Sequence, residues 1–199
     1  MKRLLIATGN TGKLVEIQSL FDRSRIALLS PEMLGLALKV EESGSSYEEN
    51  ASLKAVAFAN ASGMVTLADD SGLEVDTLDG QPGIRSARFS PQPGASDADR
   101  RATLLNMLLG KPSPWTAHFH CTVAIATPDG KVYYAQGNCP GEIIRDERGE
   151  NGFGYDPIFL LPKIGLTMAE LSMEEKNQLS HRARAIKAAL PVIQAVLHD

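Results

Sequence analysis

Asp69 and Asp70 stand side by side in Leu67-Ala68-Asp69-Asp70-Ser71-Gly72-Leu73, between an apolar run and a Ser-Gly pair. On an extended segment successive side chains point to opposite faces. Two adjacent carboxylates there have different surroundings, one turned inward and one facing a cleft. A buried carboxylate is costly unless it is paired, hydrogen-bonded or bound to a metal. Asp70 is the preferred candidate to hold a hard cation and handle a water. The plain alternative is a turn, for which Asp-Ser-Gly is ordinary chemistry.

Thr8-Gly9-Asn10-Thr11-Gly12-Lys13 follows an apolar strand and opens a helix. Glycines let backbone amides approach an anion, the helix N-terminus is partly positive, and Lys13 adds a full charge. A phosphate site is physically reasonable here. It is not a Walker A loop, which needs glycine where Ala7 stands and Ser or Thr where Leu14 stands. Glu41-Glu42 offers a further oxygen ligand to a cation held by Asp70. Magnesium takes one or two protein carboxylates and completes its octahedron with water and substrate phosphate oxygens.

Other chemistry-bearing residues carry less on their own. His118 and His120 are two apart on a strand and share a face, a spacing that can serve zinc, but no third His or Cys accompanies them at suitable spacing. Lys176, Ser180, His181 and Arg182 cluster at a helix start. They read as a capped surface helix or as donors aimed at an acceptor-rich ligand. Phe153, in a glycine-flanked loop, is placed to stack on a base or to fill core.

Positioning these residues requires a particular order of elements. Arg3 to Ala7 reads as a strand covered on both faces. A helix to about Phe21 carries Leu14, Ile17, Leu20 and Phe21 on one face, and Arg25 to Leu29 is a second strand, making a parallel pair. Ser46 and Glu49 have capping-box spacing for a helix to about Ala61. Met64 to Ala68 is a strand, the acids sit in a turn, and Leu73 to Val75 is a further short strand. Gly80 to Pro93 is a loop with an Arg85…Arg88 pair. Ser96 and Asp99 start a helix ending at Gly110. Trp115 to Ala126 alternates as a long strand, Pro128-Asp129-Gly130 turns it, and Lys131 to Gln136 and Gly141 to Arg145 are two more strands. A short helix near 172–178 and a longer one from Ser180 close the chain, with Pro191 set to kink or end the latter. The pattern is α/β, a mixed central sheet flanked by helices, in a single domain over residues 1–199.

Composition narrows the class. The chain has 199 residues, 43% hydrophobic and 22% charged, with net charge −4. That is an ordinary globular balance, long enough for one core. The net charge argues against a basic nucleic-acid face. No apolar run reaches the roughly 20 residues that span a bilayer. The N-terminal apolar run turns to Thr-Gly-Asn too soon for a signal peptide. Cys121 and Cys139 read as reduced thiols of a cytoplasmic protein.

Taken together, these stretches resemble the inosine triphosphate pyrophosphatase family, hydrolases of non-standard purine nucleoside triphosphates. The match runs from Ala7 to Arg182. It includes Thr8 to Lys13, Glu41-Glu42-Ser43-Gly44, Glu49-Asn50-Ala51 with Lys54, and Ala68 to Leu73. It continues through Pro82-Gly83, Ser86-Ala87-Arg88-Phe89-Ser90, Gly152-Phe153-Gly154-Tyr155-Asp156-Pro157-Ile158-Phe159 and Ser180-His181-Arg182. Ala183 stands where many relatives have glycine, and Pro91 reshapes the loop after Ser90. The resemblance implies an elongated two-lobed fold with an active-site cleft between the lobes, a homodimer, and cleavage between the α and β phosphates. It assigns magnesium to Glu41 and Asp70, with Asp70 also the base. Thr8, Gly9, Asn10, Thr11, Gly12 and Lys13 would contact the triphosphate, Lys54 would assist, and Ser71 would help position it. Phe153, Gly154, Tyr155 and Asp156, with Lys176, His181 and Arg182, would form the nucleoside pocket. His181 and Arg182 as donors would suit the keto oxygen at position six of hypoxanthine and xanthine, which adenine lacks.

Two rival readings stay open on the residues alone. One is a nucleotide-binding regulatory module without hydrolysis; the other is a γ-phosphatase. Clustered acids argue against the first, since an anion binder gains nothing from added negative charge.

Overall fold

The computed structural model describes residues 2–21 and 25–198. It contains one seven-stranded mixed sheet of order β2-β1-β3-β4-β5-β6-β7. The strands are β1 (Lys2–Ile6), β2 (Ile26–Leu29), β3 (Thr66–Val75), β4 (Trp115–Ala126), β5 (Val132–Ile143), β6 (Phe159–Leu161) and β7 (Leu166–Thr167). The helices are α1 (Thr11–Phe21), α2 (Tyr47–Ser62), α3 (Asp97–Leu108), α4 (Met173–Leu179) and α5 (His181–Val196). β1 pairs in parallel with β2 and β3, whereas β5 with β6 and β6 with β7 are antiparallel. The parallel part thus comes first and the antiparallel part later, as the order of elements suggests. No helix among the described residues is long and apolar enough to cross a membrane.

The chain divides into two compact units. The first comprises residues 1–70, 121–137 and 181–199; the second comprises 71–120 and 138–180. In the first unit the sheet is covered on both faces. Ile17 and Phe21 of α1 and Ala185, Ile186, Ala189 and Ile193 of α5 pack with Leu4, Ile6, Leu67, Cys121, Val123 and Ile125. On the other side Ala51, Ala55, Phe58 and Ala59 of α2 pack with Leu5, Ala7, Ala68, Ala124 and Ala126. The small alanines admit a helix close to the strands that carry the acids. The second unit has its own core, in which Leu104 and Leu108 of α3 meet Leu73, Val75, Trp115, Phe119, Tyr155 and Phe159.

Three expectations are corrected. Asp69 to Gly72 is not a turn: Thr66–Val75 is one ten-residue strand. With hydrogen-bonded strands on both sides and burial on both faces, the ladder outweighs the local turn preference of Asp-Ser-Gly. The strands expected at Lys131–Gln136 and Gly141–Arg145 are likewise not separate: Val132–Ile143 is one strand, β5. Its interior Gly137 and Gly141 are there because a side chain would not fit: a Cβ on Gly137 would come 2.3 Å from the His181 carbonyl oxygen, and one on Gly141 2.5 Å from that of Leu160. Pro191 does not end the last helix, which runs on to Val196. Packing of Ala189 before it and Ile193 after it into one cluster compensates for the lost hydrogen bond.

Candidate active site

In the first unit, strand alternation separates the two acids. Asp69 is 1% exposed, and its Oδ2 receives Lys13 Nζ at 3.0 Å and Arg182 Nε at 3.3 Å. Arg182, 2% exposed, also bonds through Nη1 to Glu16 Oε2. Burial pushes the Asp69 carboxyl upward, but Lys13, Arg182 and Lys54 outweigh it and hold the pKa well below the usual range. Burial would discharge Arg182, yet Glu16 and Asp69 keep it firmly charged. Cys121 Sγ lies 3.9 Å from Asp69 Oδ2, and burial together with the Asp69 charge pushes its thiol up to about 12.

Asp70 faces a different set. Its Oδ2 accepts from Asn50 Nδ2 at 3.1 Å, and its Oδ1 lies 3.8 Å from Lys54 Nζ. Asn50 Oδ1 in turn accepts from Gly44 N at 2.9 Å, tying the loop before α2 to the acid. Lys54 donates to Glu42 Oε1 at 2.7 Å and to the Asp69 carbonyl at 2.6 Å. Burial raises the Asp70 pKa, only partly countered by Lys54 and Lys13.

The phosphate-loop candidates adjoin these acids in the same unit. α1 begins within the motif, at Thr11, so Thr11, Gly12 and Lys13 form its first turn. Asn10 caps the helix, its Oδ1 accepting from Lys13 N at 3.0 Å, while Thr8 Oγ1 accepts from Asn10 N at 3.2 Å. Gly9, Asn10 and Thr11 are exposed and Lys13 is half-buried.

Magnesium suits this donor set. Among the described residues no three His, Cys, Asp or Glu gather to hold a metal unaided. An ion that draws most ligands from water and phosphate needs only one or two carboxylates. Asp69 Oδ1 is buried and, among the described residues, accepts no hydrogen bond. Glu41 is exposed, and it is its neighbour Glu42 that shares Lys54 with Asp70. His118 and His120, considered for zinc, are engaged elsewhere: His118 Nε2 lies 3.1 Å from Glu74 Oε2, and His120 Nδ1 lies 2.7 Å from Asn138 Oδ1.

The second unit holds the glycine loop. Lys176 Nζ donates to Asp156 Oδ2 at 2.7 Å, both residues 4% exposed, and lies 5.4 Å over the Phe153 ring. Asp156 Oδ2 also accepts from Phe153 N at 3.0 Å. Gly152 has φ +78, and a Cβ there would come 2.0 Å from that same oxygen. Tyr155 is buried, and its hydroxyl donates to the Ser86 carbonyl at 2.9 Å. Ser71 is half-buried on β3, one residue beyond Asp70.

Three of the expected ligand-binding residues also bond within the protein. Arg182 directs Nε and Nη1 at the carboxylates of Asp69 and Glu16. Asp156 braces the Phe153 backbone, and Tyr155 bonds to Ser86. Residues that the sequence left without a role are Glu16, Gly44 and Asn50. Glu16 lies one helical turn beyond Lys13, but its burial depends on a partner 166 positions away.

Comparison with known proteins shows what the whole chain is similar to. The model of the Ham1 family matches residues 4–192. A dITP/XTP pyrophosphatase of Geobacter sulfurreducens is 49% identical over 187 residues, covering 94% of each chain. One from Desulforamulus reducens is 44% identical over 192 residues, covering 96% of this chain and 95% of its own. The Staphylococcus aureus Ham1 protein superposes with a TM-score of 0.84 at 40% identity, covering 98% of this chain and 99% of that one. A HAM1 protein from Coxiella burnetii gives 0.87 at 37% identity, covering 98% and 100%. The chain therefore belongs to the Ham1 family, the group of non-standard purine nucleoside triphosphate pyrophosphatases that its motifs resemble.

Proposed function

We propose that the protein hydrolyses non-standard purine nucleoside triphosphates (ITP, dITP and XTP) to the nucleoside monophosphate and pyrophosphate, with magnesium, as a cytoplasmic homodimer forming a single domain. The observation that carries this reading is the pair of buried carboxylates on β3, Asp69 neutralised by fixed cations and Asp70 left with Asn50 and a more distant Lys54. A module that only holds an anion has no use for Asp70, whereas a hydrolase needs a carboxylate that can accept a proton. The names of the relatives, dITP/XTP pyrophosphatase, support the same reaction.

Asp70 and Glu41 are the residues assigned to magnesium. The ion, when bound, neutralises phosphate oxygens and favours a nucleophilic water. Asp70 takes the proton of the attacking water. The water oxygen bonds the α-phosphorus, the bond from that phosphorus to the bridging oxygen breaks, and pyrophosphate leaves. Lys13, the amides of Thr8 to Gly12, Lys54 and Ser71 bind and align the triphosphate, which is most of what phosphoryl transfer requires. Phe153 stacks on the purine, with Gly154, Tyr155 and Asp156 shaping its loop. His181 and Arg182 are the donors assigned to the keto oxygen at position six, and Lys176 belongs to the same nucleoside pocket; Arg182 also holds Asp69.

Incubation with inosine, xanthosine, guanosine and adenosine triphosphates plus magnesium tests this. The account expects pyrophosphate as product and rates for the first two well above adenosine triphosphate. Binding without turnover would favour a regulatory module, and orthophosphate as the first product would favour a γ-phosphatase.

A further inference from the structure

The peptide of Gly154, next to Phe153, is held from both sides by helix α3. Gly154 N donates to Asp97 Oδ2 at 2.7 Å, and the Gly154 carbonyl accepts from Arg101 Nη1 at 2.8 Å. Arg101 is itself locked, its Nε and Nη2 each 2.8 Å from the two carboxylate oxygens of Glu147. The second oxygen of Asp97 is bound by Arg100 Nη2. Burial raises the Asp97 pKa, but the Gly154 amide and the two arginines outweigh it, so the carboxylate stays charged. Helix α3 is capped at this end by the Ser96/Asp99 capping box, and further along Leu104 and Leu108 hold it in the core.

Loop backbones are ordinarily more mobile than the elements they join. Here one glycine with φ +63 has both polar groups tied to a rigid helix. A Cβ built on Gly154 would meet nothing within 4 Å, so the two backbone bonds rather than a tight steric fit hold it. The ring of Phe153 is attached one residue away. Its height above Lys176 Nζ is therefore set by this grip as well as by Asp156.

We propose that Asp97 and Arg101 are positioning residues for purine recognition, setting base selectivity by fixing the Phe153 loop from helix α3. The proposal rests on the reading of Phe153 as the base-stacking residue. Neither side chain touches the base. Each acts through the Gly154 peptide, so its loss lets Phe153 and Lys176 drift from the geometry that separates a keto oxygen from an amine. Sites that read a hydrogen-bonding group lose selectivity when their alignment loosens.

The test compares Arg101→Met, Arg101→Lys, Glu147→Gln and Phe153→Ala with wild type, measuring kcat and KM for inosine and adenosine triphosphates. Arg101→Met is expected to raise KM for inosine triphosphate about tenfold and to narrow the inosine-to-adenosine ratio of kcat/KM by a similar factor. kcat for inosine triphosphate should stay within about twofold. Arg101→Lys and Glu147→Gln should fall between. A structural role alone would lower the fraction of folded enzyme and leave KM and the ratio unchanged; that result overturns the proposal. If Phe153→Ala raises KM and Arg101→Met does not, the α3 grip is refuted while the base pocket stands. If Phe153→Ala also leaves KM unchanged, or wild type turns over no nucleotide, the base-stacking reading fails and this proposal with it. Should Arg101→Met not fold, Glu147→Gln, at a half-exposed carboxylate, carries the same test.

Discussion

Lys13 Nζ lies 3.0 Å from Asp69 Oδ2, joining the first turn of α1 to the central strand of the first unit. Arg182 and Glu16 extend that contact into a chain of four charges, three of them buried. The chain fixes where the lysine of the phosphate loop points, and it places the negative charge of Asp69 where it is already spent. Only Asp70 is left to take a proton.

The pH dependence of stability follows. The folded pKa of Asp69 is depressed, so between it and the unfolded value of about 4 the unfolded chain binds more protons. The Asp69 contribution is complete above about pH 4 and is lost as pH falls below it. Asp69→Asn should cost about 3 kcal/mol at pH 7, because it strips Lys13 and Arg182 of a buried counter-charge. The variant should also show a shallower decline than wild type between about pH 4 and pH 2. Denaturant titrations at a series of pH values check both; parallel declines would contradict the pairing.

Cys121 tests the same environment chemically. Its thiol is fully buried and, at a pKa of about 12, remains protonated at neutral pH. The thiolate is the reactive form. Iodoacetamide at pH 8 should leave Cys121 unmodified in the folded protein and label it in denaturant, as read by mass spectrometry of the peptide. Rapid labelling in the native state would show that the Asp69 chain is open to solvent.

The glycine loop gives a steric prediction. Gly152→Ala sets a methyl against Asp156 Oδ2, at 2.0 Å, and Lys176 Nζ, at 2.9 Å, at a φ of +78. A loss of about 2–4 kcal/mol is expected, combining backbone strain with a displaced buried ion pair. Gly165→Ala has a similar φ of +71 but open space, and should cost only about 1 kcal/mol. Equal losses in thermal unfolding would mean that the Asp156–Lys176 pair does not press on Gly152.

Periodicity and capping made much of this fold legible. β4 keeps the bounds its alternation suggests, and Ser46 and Ser96 each cap a helix. What failed was local turn chemistry against sheet pairing: Asp-Ser-Gly forms turns in isolation, yet here it lies inside a ladder bonded on both sides. The acids and the phosphate loop could be picked out by residue type. Their wiring could not, because Glu16–Arg182 and Asp97–Gly154 join positions 166 and 57 apart. No window of sequence carries such a contact. Arg182 illustrates the limit: its type suggested a donor to ligand, but nothing near it in sequence showed that it is also buried between two carboxylates.

The most direct measurement is pyrophosphate release from inosine triphosphate with magnesium, by wild type and by Asp70→Asn under identical conditions. Asn keeps the volume and still accepts from Asn50 but cannot take a proton. The account predicts steady pyrophosphate release by wild type, a rate lower by at least about a hundredfold in the variant, and unfolding curves for both that stay within about 1 kcal/mol. An Asp70→Asn protein that releases pyrophosphate at the wild-type rate would contradict it.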